Sequence, residues 1–167
     1  MQTQLRPARP EDIPAILALN EAAVPAVNSV DQDFMAWSIR EAAFFQVACT
    51  SAQDDILGFM IGHTPDVTYA SENFRWFCAH YPSFVYVDRI VVAPRAKRMG
   101  VGTALYDAVS TVAEQLDCPS VTCEVNTRPR NDDSLAFHHR YGFHEVGTQE
   151  TKNSTVAVSL LLKDLKA

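Results

Sequence analysis

Residues 91–105 read VVAPRAKRMGVGTAL. A β-rich run stops at Pro94, a loop carrying Arg95, Lys97 and Arg98 follows, and Gly100 and Gly102 stand where a helix starts. The first turn of a helix exposes unpaired N–H groups and the positive end of its dipole. Glycines let an anionic ligand come close to that backbone. The segment therefore has the chemistry of a phosphate or pyrophosphate cradle. Three readings compete for it. A dinucleotide fingerprint needs a third glycine where Leu105 stands, and a P-loop needs Gly-Lys-Ser/Thr where Gly102-Thr103-Ala104 stands. The third reading is a helix start that merely contains glycines.

A second group of polar residues lies downstream. Asn131, Ser134 and His138 fall at i, i+3 and i+7, on one face of a helix that can include Tyr141, while His139 points about 100° away. Upstream, Tyr86, Asp88 and Ile90 share one face of a strand by its period of two. Glu124 lies on the adjacent strand. Cys49, Cys78, Cys118 and Cys123 form no CxxC pattern, which fits reduced, mostly buried thiols, with Cys123 the candidate if one is nucleophilic. His63, His80, His138, His139 and His144 show no zinc-ligand spacing with the cysteines, so no metal is expected.

These residues need elements to hold them. Residues 4–6 fit a short strand, and Pro10-Glu11-Asp12-Ile13 opens a helix with a proline and acids in its first turn. Residues 28–32 read as a loop and 33–43 as a second helix. Residues 44–50 and 56–63 read as a hairpin. Residues 64–82 lack a clean period but carry Tyr69, Phe74, Trp76, Phe77 and Tyr81, either as a cap on a pocket or as packing on a sheet edge. Residues 83–93 are the strongest strand. A helix over 100–116 faces a sheet through Leu105, Val109 and Val112, followed by a strand over 119–126. Asn131 is placed to cap a helix reaching Tyr141, and Gly142 stops it. Strands over 143–149 and 154–162 close the chain. The crossover makes the strands at 83 and 119 parallel. The expectation is one α/β domain over residues 1–167, with a mixed sheet and helices on both faces.

Ile90-x-Val92-x-Pro94 followed by Lys97-x-x-Gly100-x-Gly102 resembles the acetyl-CoA signature of the GNAT superfamily. The family places Arg or Gln where Lys97 stands. Pro129-x-Asn131-x-x-Ser134-x-x-Phe137-His138-x-x-x-Gly142-Phe143 is similar to its second motif. There His138 replaces the usual tyrosine, as in a subset of predicted members carrying Phe-His. The resemblance is specific from about residue 86 to 143. It implies a mostly antiparallel sheet whose two central parallel strands splay apart. It also implies direct transfer of an acetyl group from acetyl-CoA to an amine, without an acyl-enzyme. The pyrophosphate is expected on the amides of Arg98, Met99, Gly100, Val101, Gly102 and Thr103, with Lys97 beside them. The pantetheine arm is expected along Ile90, Val91 and Val92, with Asn131, Ser134 and Phe137 across from it. His138 becomes the candidate acid for the leaving thiolate, or a CoA contact, with Tyr141 next on that face. Asp88 is the first candidate base and Glu124 the second; the competing reading of Asp88 is a salt bridge to a neighbouring arginine. The acceptor implied is a primary amine of a small or amino-acid-like molecule. A protein terminus or lysine, or a non-catalytic acyl-CoA-binding module, remains the alternative.

Composition narrows the setting. The 167 residues carry a net charge of −6 and a sequence pI near 5.3, which argues against nucleic acid or acidic lipid as a partner. Early charges at Arg6, Arg9, Glu11 and Asp12 interrupt any leader-like opening, and apolar runs are short. The expectation is a cytoplasmic protein with no membrane partner. The apolar last strand, residues 156–162, is explained either by burial or by pairing in a homodimer.

Overall fold

A computed structural model describes residues 2–166. The chain runs β1 (Thr3–Pro7), α1 (Ile13–Ala22), α2 (Gln32–Glu41), β2 (Phe44–Thr50), β3 (Ile56–His63), α3 (Glu72–His80), β4 (Val85–Val92), α4 (Val101–Gln115), β5 (Ser120–Arg128), α5 (Asp132–Tyr141), β6 (His144–Thr151) and β7 (Val156–Asp164). All seven strands form one sheet in the order β1-β2-β3-β4-β5-β7-β6. Every neighbouring pair is antiparallel except β4 and β5.

Alternation along the strands sends side chains to two layers. Val85, Val87, Val121, Cys123, Val125 and Leu161 pack with Leu105, Tyr106 and Val109 of α4 and with Phe143 beyond α5. On the other face, Val47, Phe59, Ile61 and Val91 pack with Ile13 and Ile16 of α1 and Met35 of α2. Phe74 and Phe77 of α3 cover Phe84, Tyr86, Val158 and Leu160 on that same face. The helices thus flank the sheet on both faces, as the sequence implies.

Three features differ from the sequence reading or decide between its alternatives. Residues 72–80, read without a clean period, form the helix α3. The Ser71 hydroxyl accepts the Phe74 N–H at 3.3 Å and caps it. Trp76 of α3 lies so close over Gly147 of β6 that a Cβ there would meet the indole at 2.6 Å. The last strand, β7, lies between β5 and β6, so both of its edges are paired and its apolar run is explained by burial. The third difference concerns β4. Arg89 pairs with Ile61 and Val87 with Gly62, which leaves Asp88 as the extra residue of a β-bulge. A bulge reverses the parity of the strand. Tyr86 therefore packs with α3 while Ile90 packs toward α4, and the shared face expected for Tyr86, Asp88 and Ile90 does not form.

The bulge coincides with a gap in the sheet. β4 and β5 pair only at Val85–Val121 and Tyr86–Thr122 and then separate. Beyond Tyr86 the edge of β4 facing β5 has no strand partner. Among the described residues, no helix is long and apolar enough to cross a membrane.

Candidate active site

Two cavities open at this gap. One, of about 610 Å³, runs along Ile90, Val91 and Val92 to Lys97, Arg98, Gly100, Val101, Gly102 and Thr103, and is closed by Asn131, Ser134, Phe137 and His138. Its far end is built from the start of α4. Gly100 takes φ +80°, and a Cβ there would meet nothing within 4 Å. The Gly100 carbonyl accepts the Ala104 N–H at 2.9 Å as the first bond of the helix, so the N–H groups of Val101, Gly102 and Thr103 have no intrahelical acceptor. Gly102 allows a different approach, since a Cβ would press on the Phe137 ring at 3.2 Å. Met99 is exposed and does not line the cavity. Asn131 occupies the cap position of α5, but its side chain makes no capping bond.

The other cavity, of about 580 Å³, passes through the sheet between the splayed strands. Asp88, Arg89 and Glu124 line it, with Tyr69 and Phe34 on the α1–α3 side and Tyr106, Cys123 and His138 on the α4 side. The two cavities share Ala23, Ala26, Ile90, Asn131, Ser134 and His138. A long ligand in the first and a small one in the second would therefore meet beside Ile90, Asn131, Ser134 and His138.

The acids of the second cavity have different surroundings. Asp88 is held by the Arg89 Nε–H at 2.8 Å and by the Tyr69 hydroxyl, which donates at 2.6 Å. Arg89 is itself buried. It donates to the Asn20 side chain on α1 at 2.9 Å and to the carbonyl and side-chain oxygens of Asn28 at 3.2 and 2.8 Å. Its guanidinium also lies 4.8 Å from the centre of the Phe34 ring. Arg89 thus ties α1 and the loop after it to the bulge. Glu124 accepts the Tyr86 hydroxyl, at 2.7 and 2.9 Å, with the Asn73 side chain also beside it. Burial, reinforced by the Asp88 charge and partly offset by the Tyr86 hydrogen bond, pushes the Glu124 carboxyl up to about 8.

His138 is buried at the junction, 3% exposed. Its Nδ1 is 2.7 Å from the Ser134 carbonyl, which can only accept, so Nδ1 carries the proton. Nε2 then accepts the Tyr106 hydroxyl at 2.6 Å. Burial moves His138 below the ordinary histidine value, which keeps the ring neutral. Burial likewise raises the Cys123 thiol, the opposite of what a nucleophile needs. Tyr141 stands apart. Its hydroxyl donates to Asp107 of α4 at 2.6 Å, and it lines neither cavity.

The sequence profile of the acetyltransferase (GNAT) family matches residues 15–143. The chain belongs to this family. No curated protein matches it in sequence. Among solved structures it is similar to Naa20 of Chaetomium thermophilum in complex with a bisubstrate analogue, at 22% identity and a TM-score of 0.77, covering 98% of this chain and 87% of that one. Ard1 from Thermoplasma volcanium is equally similar, at 22% identity and a TM-score of 0.77, covering 98% of each chain. A putative phosphinothricin N-acetyltransferase gives 18% identity and a TM-score of 0.72, covering 99% of this chain and 100% of that one. At these identities the likeness shows the fold, including the single parallel pair at the centre of the sheet.

As a GNAT acetyltransferase, the chain brings together nearly all of the residues singled out in its sequence, with Met99 and Tyr141 outside the two cavities. Sequence reasoning anticipated a salt bridge between Asp88 and a neighbouring arginine but missed Tyr106 and the ties of Arg89 to Asn20 and Asn28. Tyr106 lies on the stripe of α4 that faces the sheet, beside Leu105, where aromatic packing is the default expectation. Its hydroxyl in that stripe is the trace that could have pointed to a buried partner. Among the described residues, no group of three His, Cys, Asp or Glu side chains could hold a metal ion.

Proposed function

We propose that this protein transfers the acetyl group of acetyl-CoA directly to a primary amine of a small or amino-acid-like acceptor. The observation that carries the reading is the meeting of two cavities at Ile90, Asn131, Ser134 and His138. The groove along β4 and the start of α4 fits CoA. Gly100 leaves open space beside free N–H groups where a pyrophosphate would lie, and Lys97 and Arg98 supply positive charge. The unpaired edge of β4 offers backbone groups to the pantetheine arm and to the thioester carbonyl. The Phe-His version of the second motif supports placing the chain in the subset that carries it.

Acetyl-CoA supplies the acetyl group as a thioester, which the amine attacks with loss of the thiol. Glu124 takes a proton from the incoming ammonium. Its value near 8 lies close to working pH, where a general base is most effective. That puts Glu124 ahead of Asp88, whose charge is committed to Arg89 and Tyr69. Asp88 holds the bulge and adds negative potential. His138 has no free proton in this arrangement, since both ring nitrogens are engaged. We therefore read it as a positioning residue that locks Tyr106 and the α5 face against the thioester. The balance is simple: of the two protons lost by the ammonium, one ends on the thiol and one passes through Glu124 to solvent.

The test is thiol release from acetyl-CoA with a panel of primary amines, and mass analysis of the product. An N-acetylated amine formed with equimolar thiol supports the reading. Thiol release without an acetylated amine would reject it.

A further inference from the structure

We infer that the acceptor carries its amine on an apolar body without a carboxylate, so that free α-amino acids are excluded. The inference rests on the N-acetyltransferase reading above and deepens it. It follows from the charges that line the acceptor cavity. Among the described residues these are Glu72, Asp88, Arg89, Glu124 and Lys152. An ammonium entering the gap meets Glu124 and Asp88. A carboxylate attached beside that ammonium would meet the same two acids.

Arg89 offsets the Asp88 charge, but it is not open to an incoming carboxylate. Asp88, Asn20 and Asn28 take four of the five N–H donors of a guanidinium, and Phe34 covers one of its faces. A carboxylate could bind Arg89 only by breaking the bonds that hold α1 to the bulge. Lys152 lies in the exposed turn between β6 and β7, open to solvent. His138 is neutral and has both nitrogens engaged. Among the described residues, the cavity therefore holds no free interior cation. Its apolar lining includes Val27, Val30, Phe34 and Tyr69, which suits an aliphatic or aromatic body, and its uncharged polar lining includes Asn73, Asn126 and Asn131.

Specificity here comes from repulsion as much as from attraction. A like charge brought into a water-poor site is poorly screened. The same chemistry describes an arylalkylamine and the amino terminus of a peptide that begins with an apolar residue. Both present a primary amine with no carboxylate next to it.

The experiment measures kcat/KM for thiol release with four acceptors: phenylalaninol, 2-phenylethylamine, the peptide amide Phe-Gly-Gly-NH2, and phenylalanine. Phenylalaninol and phenylalanine share a body and an amine of similar basicity, and differ in the carboxylate. The expected result is at least a tenfold preference for phenylalaninol over phenylalanine, unchanged in Lys152→Ala. A smaller preference overturns the inference. So does a preference that grows in Lys152→Ala, since that would show Lys152 holding carboxylates. The ratio of Phe-Gly-Gly-NH2 to 2-phenylethylamine assigns the chemistry to a polypeptide terminus when it exceeds one and to a small amine when it falls below. If protein that binds acetyl-CoA releases thiol with none of the four, the transferase reading fails, and the inference with it.

Discussion

Glu124 and Asp88 are two carboxylates in one cavity, set apart by their neighbours. A guanidinium and a phenol hold Asp88, whereas Glu124 has a phenol and a desolvated wall. Such separation divides roles between acids. With Glu124 as base, kcat/KM rises with pH through about 8, because the carboxylate form is the active one. Glu124→Gln should remove that limb, leave the ionisation of the amine itself, and lower kcat/KM by roughly 10²-fold or more. The same shift acts on stability. A carboxyl raised from 4.5 to about 8 binds its proton more tightly when folded, so its contribution is present below 4.5 and lost as pH rises through 8. Glu124→Gln should therefore melt higher than wild type at pH 9, by roughly 2–4 °C for each ~1 kcal/mol relieved. A lower melting point at that pH would contradict the buried-acid assignment. For His138, the positioning role predicts that His138→Phe raises KM for acetyl-CoA while kcat at saturation stays within about threefold. A fall in kcat at unchanged KM would return the ring to an acid role. Neither Tyr106 nor the ties of Arg89 to Asn20 and Asn28 could be read from the sequence, because both are contacts between segments far apart in the chain, whereas the pairing of Asp88 with a neighbouring arginine could.

At the scale of elements, the start of α4 was the most legible part, since glycine spacing and the helix start are local properties. Gly100→Val should abolish acetyl-CoA binding in calorimetry. The side chain would enter the space beside the free N–H groups, and a β-branched residue is strained at φ +80°. Binding of wild-type strength would show that the pyrophosphate lies elsewhere. α3 was not legible as a helix, although Ser71 before Phe74, Phe77 and Tyr81 carries both a cap and helical spacing. Trp76 and Tyr69 blur that period with aromatics that pack on other partners. Because Phe77 is fully buried beneath α3, Phe77→Ala should cost about 3–5 kcal/mol in denaturant unfolding, against under ~0.5 for the exposed Arg75→Ala. Equal effects would mean that α3 packs loosely. The bulge at Asp88 escaped the sequence because period two is the default for a strand and nothing local marks the extra residue. Its consequence reaches furthest, since it sends Tyr86 and Ile90 to opposite faces beside the point where β4 leaves β5.

For the whole molecule, the mixed sheet, its parallel central pair and the helices on both faces follow from element order and one crossover, which is why the fold could be read so early. The second cavity draws its lining from segments remote in sequence, among them the loop after α1, residues 69–73 and the splayed strands. Their meeting is a property of tertiary structure alone. The central claim is that the CoA groove and the acidic cavity form one reacting centre. The most direct measurement is product mass spectrometry with acetyl-CoA and phenylalaninol, comparing wild type with Glu124→Gln. The geometry predicts N-acetylphenylalaninol and equimolar CoA from wild type, and roughly 10²-fold less from Glu124→Gln with acetyl-CoA affinity unchanged. Acetyl-CoA bound at the start of α4 in both proteins, with no acetylated amine from either, would contradict it and leave an acyl-CoA-binding module.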